Sequence, residues 1–204
     1  MNNQKNKPEL TKVQISFLCG GLLGDLSLQY MGANWRVRSG TQTDEEWLFK
    51  QYEYLKIFVR TPPQQDKMGR WWFNTVTIPD LFDIGFLWYP TAIKEVSGTR
   101  VMPFKFVEET FDELSLAVLF MGDGTKRESG YTLCVDNFTD EEVDWLMAFL
   151  DRKYGLKCNK HRKDGNPRVY VTATSRVHFT NLILPYITES QKRKLFLDSE
   201  GNPY

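Results

Sequence analysis

Leu18-Cys19-Gly20-Gly21-Leu22-Leu23-Gly24-Asp25 and Leu116-Ala117-Val118-Leu119-Phe120-Met121-Gly122-Asp123 are the two stretches around which the chain is organised. Each is an apolar run with small residues that closes on an aspartate. A helix C-terminus carries partial negative charge, so an anion there is disfavoured by about 0.3–1 kcal/mol. Two such carboxylates brought together would also repel, and a bound divalent cation would offset both costs. Gly20, Gly21 and Gly24 each cost about 1 kcal/mol of helix propensity. Gly20 and Gly24 share one side of a helix. The pattern therefore predicts close approach of another backbone, with the stretch holding Ala117 and Gly122 as its partner.

Outward from the first motif, residues 11–25 read as a helix and 26–41 as a hairpin turning at Gly32-Ala33-Asn34. Alternation along that hairpin puts Arg36 and Arg38 on one face. Thr43 with Glu46 three residues later forms a capping box for a helix to about Val59, closed by Pro62-Pro63. A hairpin over 64–77 turns near Gly69, and Pro79 at a first helical position starts a helix that ends before Pro90. Residues 91–103 read as a connector, and 104–113 lead into the second motif helix. There, 130–138 is strand-like, and Thr139 with Glu142 caps a helix to Tyr154. Residues 157–173 form a hairpin turning at Asp164-Gly165, 174–184 a helix ending at Pro185, and Lys192-Arg193-Lys194 follows.

This order repeats. Asp25 and Asp123 lie 98 positions apart, Thr43 and Thr139 lie 96, Gly69 and Gly165 lie 96, and Pro90 and Pro185 lie 95. Four landmarks keep one spacing to within three residues, which predicts an α+β fold built from an αββαββα unit used twice. The halves, 1–98 and 99–204, would pack into one unit through their motif helices.

Composition bounds the rest. At 204 residues the chain fits one domain or two small fused ones, and 41% hydrophobic residues suffice for a core. Lys+Arg 26 balances Asp+Glu 26, which argues against a nonspecific polyanion binder without locating any charge. Cys19, Cys134 and Cys158 are odd in number and lack metal spacing, so they read as reduced thiols of an intracellular protein. Two histidines exclude a His-rich zinc site. No run is long and apolar enough for a membrane span or signal peptide. The polar N-terminus through Leu10 reads as frayed.

The two motif stretches resemble those of the LAGLIDADG homing endonucleases, with aspartate in eighth place. The second copy is closer. The first has Gly21 and Leu26 where the family has Leu and Gly. The resemblance covers nearly the whole chain and is clearest from about Thr99 onward. It is closest to the monomeric two-motif members of mitochondrial group I introns, through Phe138-Thr139-Asp140-Glu141-Glu142-Val143, Asn181-Leu182-Ile183-Leu184-Pro185-Tyr186-Ile187 and Lys194-Leu195.

The resemblance implies two four-stranded antiparallel sheets whose outer faces form a DNA-binding saddle. Two sheets lying in successive major grooves could read a long duplex site. It implies a monomer that cuts both strands across the minor groove, leaves short 3′ overhangs and promotes homing of an intron or other mobile element. Asp25 and Asp123 would bind Mg²⁺, with Mn²⁺ able to substitute, helped by the backbone carbonyls of Gly24 and Gly122. One basic residue per half would act beside the metals, here Arg100 and Lys194. Arg100 departs from the family's lysine, and arginine cannot shed its proton. Bacterial members would be cytoplasmic and organelle-encoded ones organellar.

The residues themselves fit that chemistry. Phosphodiester hydrolysis needs a positioned water and neutralised charge on the leaving oxygen, which carboxylate-bound Mg²⁺ supplies. Arg36, Arg38, Lys67, Arg70, Lys126, Arg127, Lys160, Arg162, Lys163 and Arg168 fall on predicted strands or turns and as a set favour nucleic acid. Trp71 and Trp72 read as sheet packing. The rival functions are an RNA maturase assisting group I intron splicing and a non-cleaving DNA-binding regulator on the same fold.

Overall fold

Thr11 starts the first motif helix by a reciprocal cap. Its hydroxyl accepts from the Gln14 amide, and the Gln14 side chain accepts from the Thr11 amide (2.9 Å). The computed structural model describes residues 8–93 and 98–204. Helix α1 (Lys12–Leu23) ends at a Gly24 cap, so Asp25 lies just past the helix. Its counterpart α5 (Glu113–Asp123), capped by Asp112, keeps Asp123 as its last helical residue.

These two helices are apolar nearly all round because each is buried nearly all round. They cross at close range. A Cβ on Gly20 would stand 2.1 Å from the Ser115 carbonyl oxygen, so only glycine fits. Ser115 Oγ donates to the Ser16 carbonyl (2.8 Å), and Ser16 Oγ donates to Asp112 (2.7 Å). The glycines of the first motif thus permit the contact their spacing predicts.

Each half supplies one antiparallel sheet. The first combines β1 (Ser27–Tyr30), β2 (Trp35–Thr41), β3 (Gln64–Gln65) and β4 (Trp71–Asn74) in the order β1-β2-β4-β3. The second combines β5 (Thr125–Lys126), β6 (Tyr131–Cys134), β7 (Cys158–Lys163) and β8 (Asn166–Val171) in the order β5-β6-β8-β7. The identical order is the structural form of the repeat. Helices α2 (Glu45–Leu55) and α3 (Leu81–Trp88) cover one face of the first sheet. Helix α6 (Asp140–Tyr154) covers the second, and α7 (Arg176–Ile183) packs on α5. One apolar core runs through both halves. The three cysteines are free.

Several boundaries differ from the sequence reading. Asp44, not Thr43, caps α2, its carboxylate accepting from the Trp47 amide (2.9 Å). α2 gives way at Lys56 to a 3-10 turn. Pro79 precedes α3, whose cap is Asp80, rather than opening it. Residues 104–110 form a short helix, α4 (Phe104–Thr110). The basic Lys192-Arg193-Lys194 ends a 3-10 segment, Glu189–Lys194. Residues 1–7 of the N-terminus expected to fray, and 94–97 of the connector, lie outside the described residues. Leu10 donates its amide to Asp80 (2.6 Å).

Candidate active site

The crossing of α1 and α5 delivers both motif aspartates to one place. Asp25 hydrogen-bonds with Asp123, and its Oδ2 lies 3.3 Å from where a Cβ on Gly122 would stand. Burial first, then the hydrogen bond and charge of Asp123, push the Asp25 carboxyl up from 3.8 to about 7. Lys194 and Arg100 oppose that rise. The buried pair therefore holds a proton into a range where an exposed carboxyl has lost it. A cleft of about 340 Å³ opens beside the pair, walled by Gly122, Asp44, Gln51 and Lys194.

Arg100 and Lys194 both come to this site but do different work. Lys194 Nζ donates to the Met121 carbonyl near the end of α5 (3.3 Å) and faces the cleft. Burial and the neighbouring Arg193 lower its proton affinity. Arg100 is consumed by the end of α1. Its Nη1 donates to the carbonyls of Leu22 (2.9 Å) and Gly24 (2.7 Å), its Nη2 to Leu26 (2.8 Å) and its Nε to the Tyr89 hydroxyl (2.9 Å). It closes the negative end of that helix. A carbonyl oxygen has two lone pairs, so Gly24 retains one.

Sequence reasoning missed the clasp that places Lys194. Asp44 accepts from Ser190 Oγ (3.0 Å) and Gln191 Nε2 (2.6 Å), and Glu46 accepts from the amides of Glu189 (3.1 Å) and Ser190 (2.7 Å). Gln191 Nε2 also reaches the Met121 carbonyl (3.2 Å). The last segment of the second half is thus held by α2 of the first.

The sheet faces away from the helices carry polar and basic side chains. On the first, register places Arg36, Arg38, Trp72 and Asn74 together, opposite in phase to buried Trp35, Val37 and Phe73. Trp71 packs on Phe49, but Trp72 is on the open face, a correction to its reading as packing. Lys67 is exposed in the β3–β4 turn, where Arg70 pairs with Asp66 (2.8 Å). On the second sheet the open face holds Arg127, Arg168, Lys163 and a His161–Tyr170 stack with centroids 4.5 Å apart.

Three expected members of this set are engaged within the protein. Lys160 lies opposite Val169 on the core side and pairs with Asp140 (3.2 Å) and Asp144 (2.9 Å) of α6. Arg162 also pairs with Asp140. Lys126 donates to the Leu195 carbonyl (3.1 Å) over the Phe196 ring.

The profile of the LAGLIDADG DNA endonuclease family matches residues 15–179. The chain belongs to the LAGLIDADG DNA endonuclease family. This LAGLIDADG protein is 25% identical over 216 residues to DNA endonuclease I-ChuI of Chlamydomonas applanata, covering 95% of this chain and 97% of that one. It is 33% identical over 125 residues to cytochrome b mRNA maturase bI2 of Debaryomyces hansenii, covering 60% of this chain. That match spans only 45% of the maturase's length. Its fold matches homing endonuclease I-WcaI bound to its DNA recognition sequence, with a TM-score of 0.84 at 23% identity over 96% of this chain and 91% of that one. Among the described residues no helix is long and apolar enough to cross a membrane.

Proposed function

We propose that this LAGLIDADG protein is a monomeric, divalent-metal-dependent endonuclease that cuts both strands of a long duplex site and serves the homing of an intron or other mobile element. The convergence of Asp25 and Asp123 at the crossing of α1 and α5 carries the reading. No third acid, histidine or cysteine joins them in a metal-ligating group among the described residues. Two carboxylates suit Mg²⁺, which keeps several waters, and Mn²⁺ would serve in its place. A cation held there supplies an activated water and neutralises charge on the leaving oxygen. Asp25 must release its proton to hold one, and the Gly24 and Gly122 carbonyls are the backbone donors beside the acids. Lys194 stabilises phosphate charge from the cleft wall, whereas Arg100 keeps the end of α1 and hence Asp25 in place. The open sheet faces bind the duplex through Arg36, Arg38, Lys67, Arg70, Arg127, Lys163 and Arg168.

The test is Asp25→Asn and Asp123→Asn, assayed on a target selected from a randomised duplex library. Each should abolish double-strand cleavage and retain sequence-specific binding. Cleavage by both variants would refute the site. The match to maturase bI2 supports a second reading, assistance to intron splicing. Splicing of cognate intron RNA that survives both substitutions would support it.

A further inference from the structure

Asp136 follows β6 on the open face of the second sheet, where a carboxylate is out of place. Every anion on a surface that meets phosphates weakens the encounter. Both its oxygens are taken by one partner. Arg168 Nε donates to Oδ1 (2.9 Å) and Nη2 to Oδ2 (2.7 Å). This grip runs along one edge of the guanidinium and fixes its plane. The outer edge, formed by Nη1 and the second N–H of Nη2, has no partner among the described residues. Arg168 sits on the inner strand β8, across from Cys134 and His161, and the charge of Asp123 reaches it. A free fork in a fixed plane matches O6 and N7 of guanine, which the major groove displays.

We propose that Asp136 is a positioning residue for base recognition, holding Arg168 so that its free fork reads a guanine in the major groove. The inference rests on the endonuclease reading and deepens it. The pair is largely covered, the Arg168 side chain being only 14% exposed, so losing the acid also costs stability, and the specificity profile rather than stability separates the roles. On the first sheet a single oxygen, Gln29 Oε1, takes both Arg36 Nε (3.0 Å) and Nη2 (2.7 Å), a contact about which the guanidinium can pivot, unlike the two parallel bonds from Asp136. The two roles open to Asp136 differ in sign. Acting through charge alone, its loss would tighten binding to every duplex equally. Acting through Arg168, its loss leaves affinity for random duplex unchanged or higher while one position loses its guanine preference.

Binding selection from a randomised duplex library, with the full chain and a chelator present to prevent cutting, decides between them. The wild-type chain should favour guanine at one position by about tenfold or more. Asp136→Asn, Asp136→Ala and Arg168→Ala should each reduce that preference to about threefold or less and spare the other positions. Thermal melts verify folding, and near-isosteric Asp136→Asn decides the matter if the alanine variant does not fold. An unchanged profile in Asp136→Asn, or equal loss at all positions, would overturn the proposal. A library from which no site is enriched would overturn the endonuclease reading and this proposal with it.

Discussion

The carboxylate of Asp25 rests against the backbone of Gly122, its Oδ2 3.3 Å from the place a Cβ would take there. The second motif therefore shapes the placement of the first motif's aspartate. Gly122→Ala would gain up to about 1 kcal/mol in helix propensity, so the fold should survive. The carboxylate must move by a few tenths of an ångström. Since a displacement of about 1 Å can cost ~100-fold in rate, single-turnover cleavage should fall roughly tenfold with binding intact. Unaltered cleavage in a folded variant would contradict this geometry.

Gly20→Ala tests the crossing itself. Its Cβ would collide with the Ser115 carbonyl, and neither helix can yield without parting from the other. Overpacking of this kind costs about 1–3 kcal/mol and occasionally more. The urea midpoint should fall accordingly, and cleavage should fall with it. A variant as stable as the parent would show that the helices pack less closely.

The raised Asp25 carboxyl makes metal-free stability depend on pH. Between about 4 and 7 the folded chain holds a proton that the unfolded chain has released. Its contribution is therefore complete below the unfolded value and lost as pH rises through about 7. With chelator present, Asp25→Asn should be the more stable protein at pH 8, by on the order of a few kcal/mol, and the gap should close toward pH 5. Paired thermal melts at both pH values measure it. A gap independent of pH would mean the carboxylates do not share this burial.

Arg100 and Lys194 should separate stability from rate. Lysine at position 100 cannot fork to three carbonyls, so Arg100→Lys should cost about 1–3 kcal/mol. Lys194→Met removes a half-buried charge and should leave stability unchanged or higher. Its cleavage should fall by about 10²–10³-fold, as when a transition-state donor is lost. Denaturation midpoints and single-turnover rates on both variants check the division.

Salt dependence should sort the basic residues by face. Arg38→Gln and Lys163→Gln should each lower the slope of log affinity against log salt by about one. Lys160→Gln should leave the slope unchanged, because Asp140 and Asp144 already hold that ammonium. Equal slopes for all three would remove the distinction between the faces.

The features legible from sequence were those specified locally. Thr139 caps α6 with its box complete, and Asp164-Gly165, both at positive φ, turn β7 into β8. The equal spacing of such signals revealed the duplication. The face of Lys160 was not legible because Cys158-Asn159-Lys160-His161-Arg162-Lys163 has no apolar alternation to set its phase. Pairing with Val169 and Val171 sets it instead. The same valines, by alternation, mark Arg168 and Tyr170 for the open face. Thr43 and Asp44 are both good caps, and only the packing of residues 189–194 favours Asp44. Nothing near Arg100 announces that it reaches back 74 to 78 positions for its partners.

The grip of Asp44 and Glu46 on residues 189–194 makes the halves poor modules for exchange. A chimera joined at the midpoint, with its first half from a relative lacking acids at those two places, would still inherit both motif helices. It would leave Lys194 without an anchor, so a well-folded hybrid would bind DNA and cut slowly. Exchange of halves would keep this clasp only where the two acids and the C-terminal segment descend together.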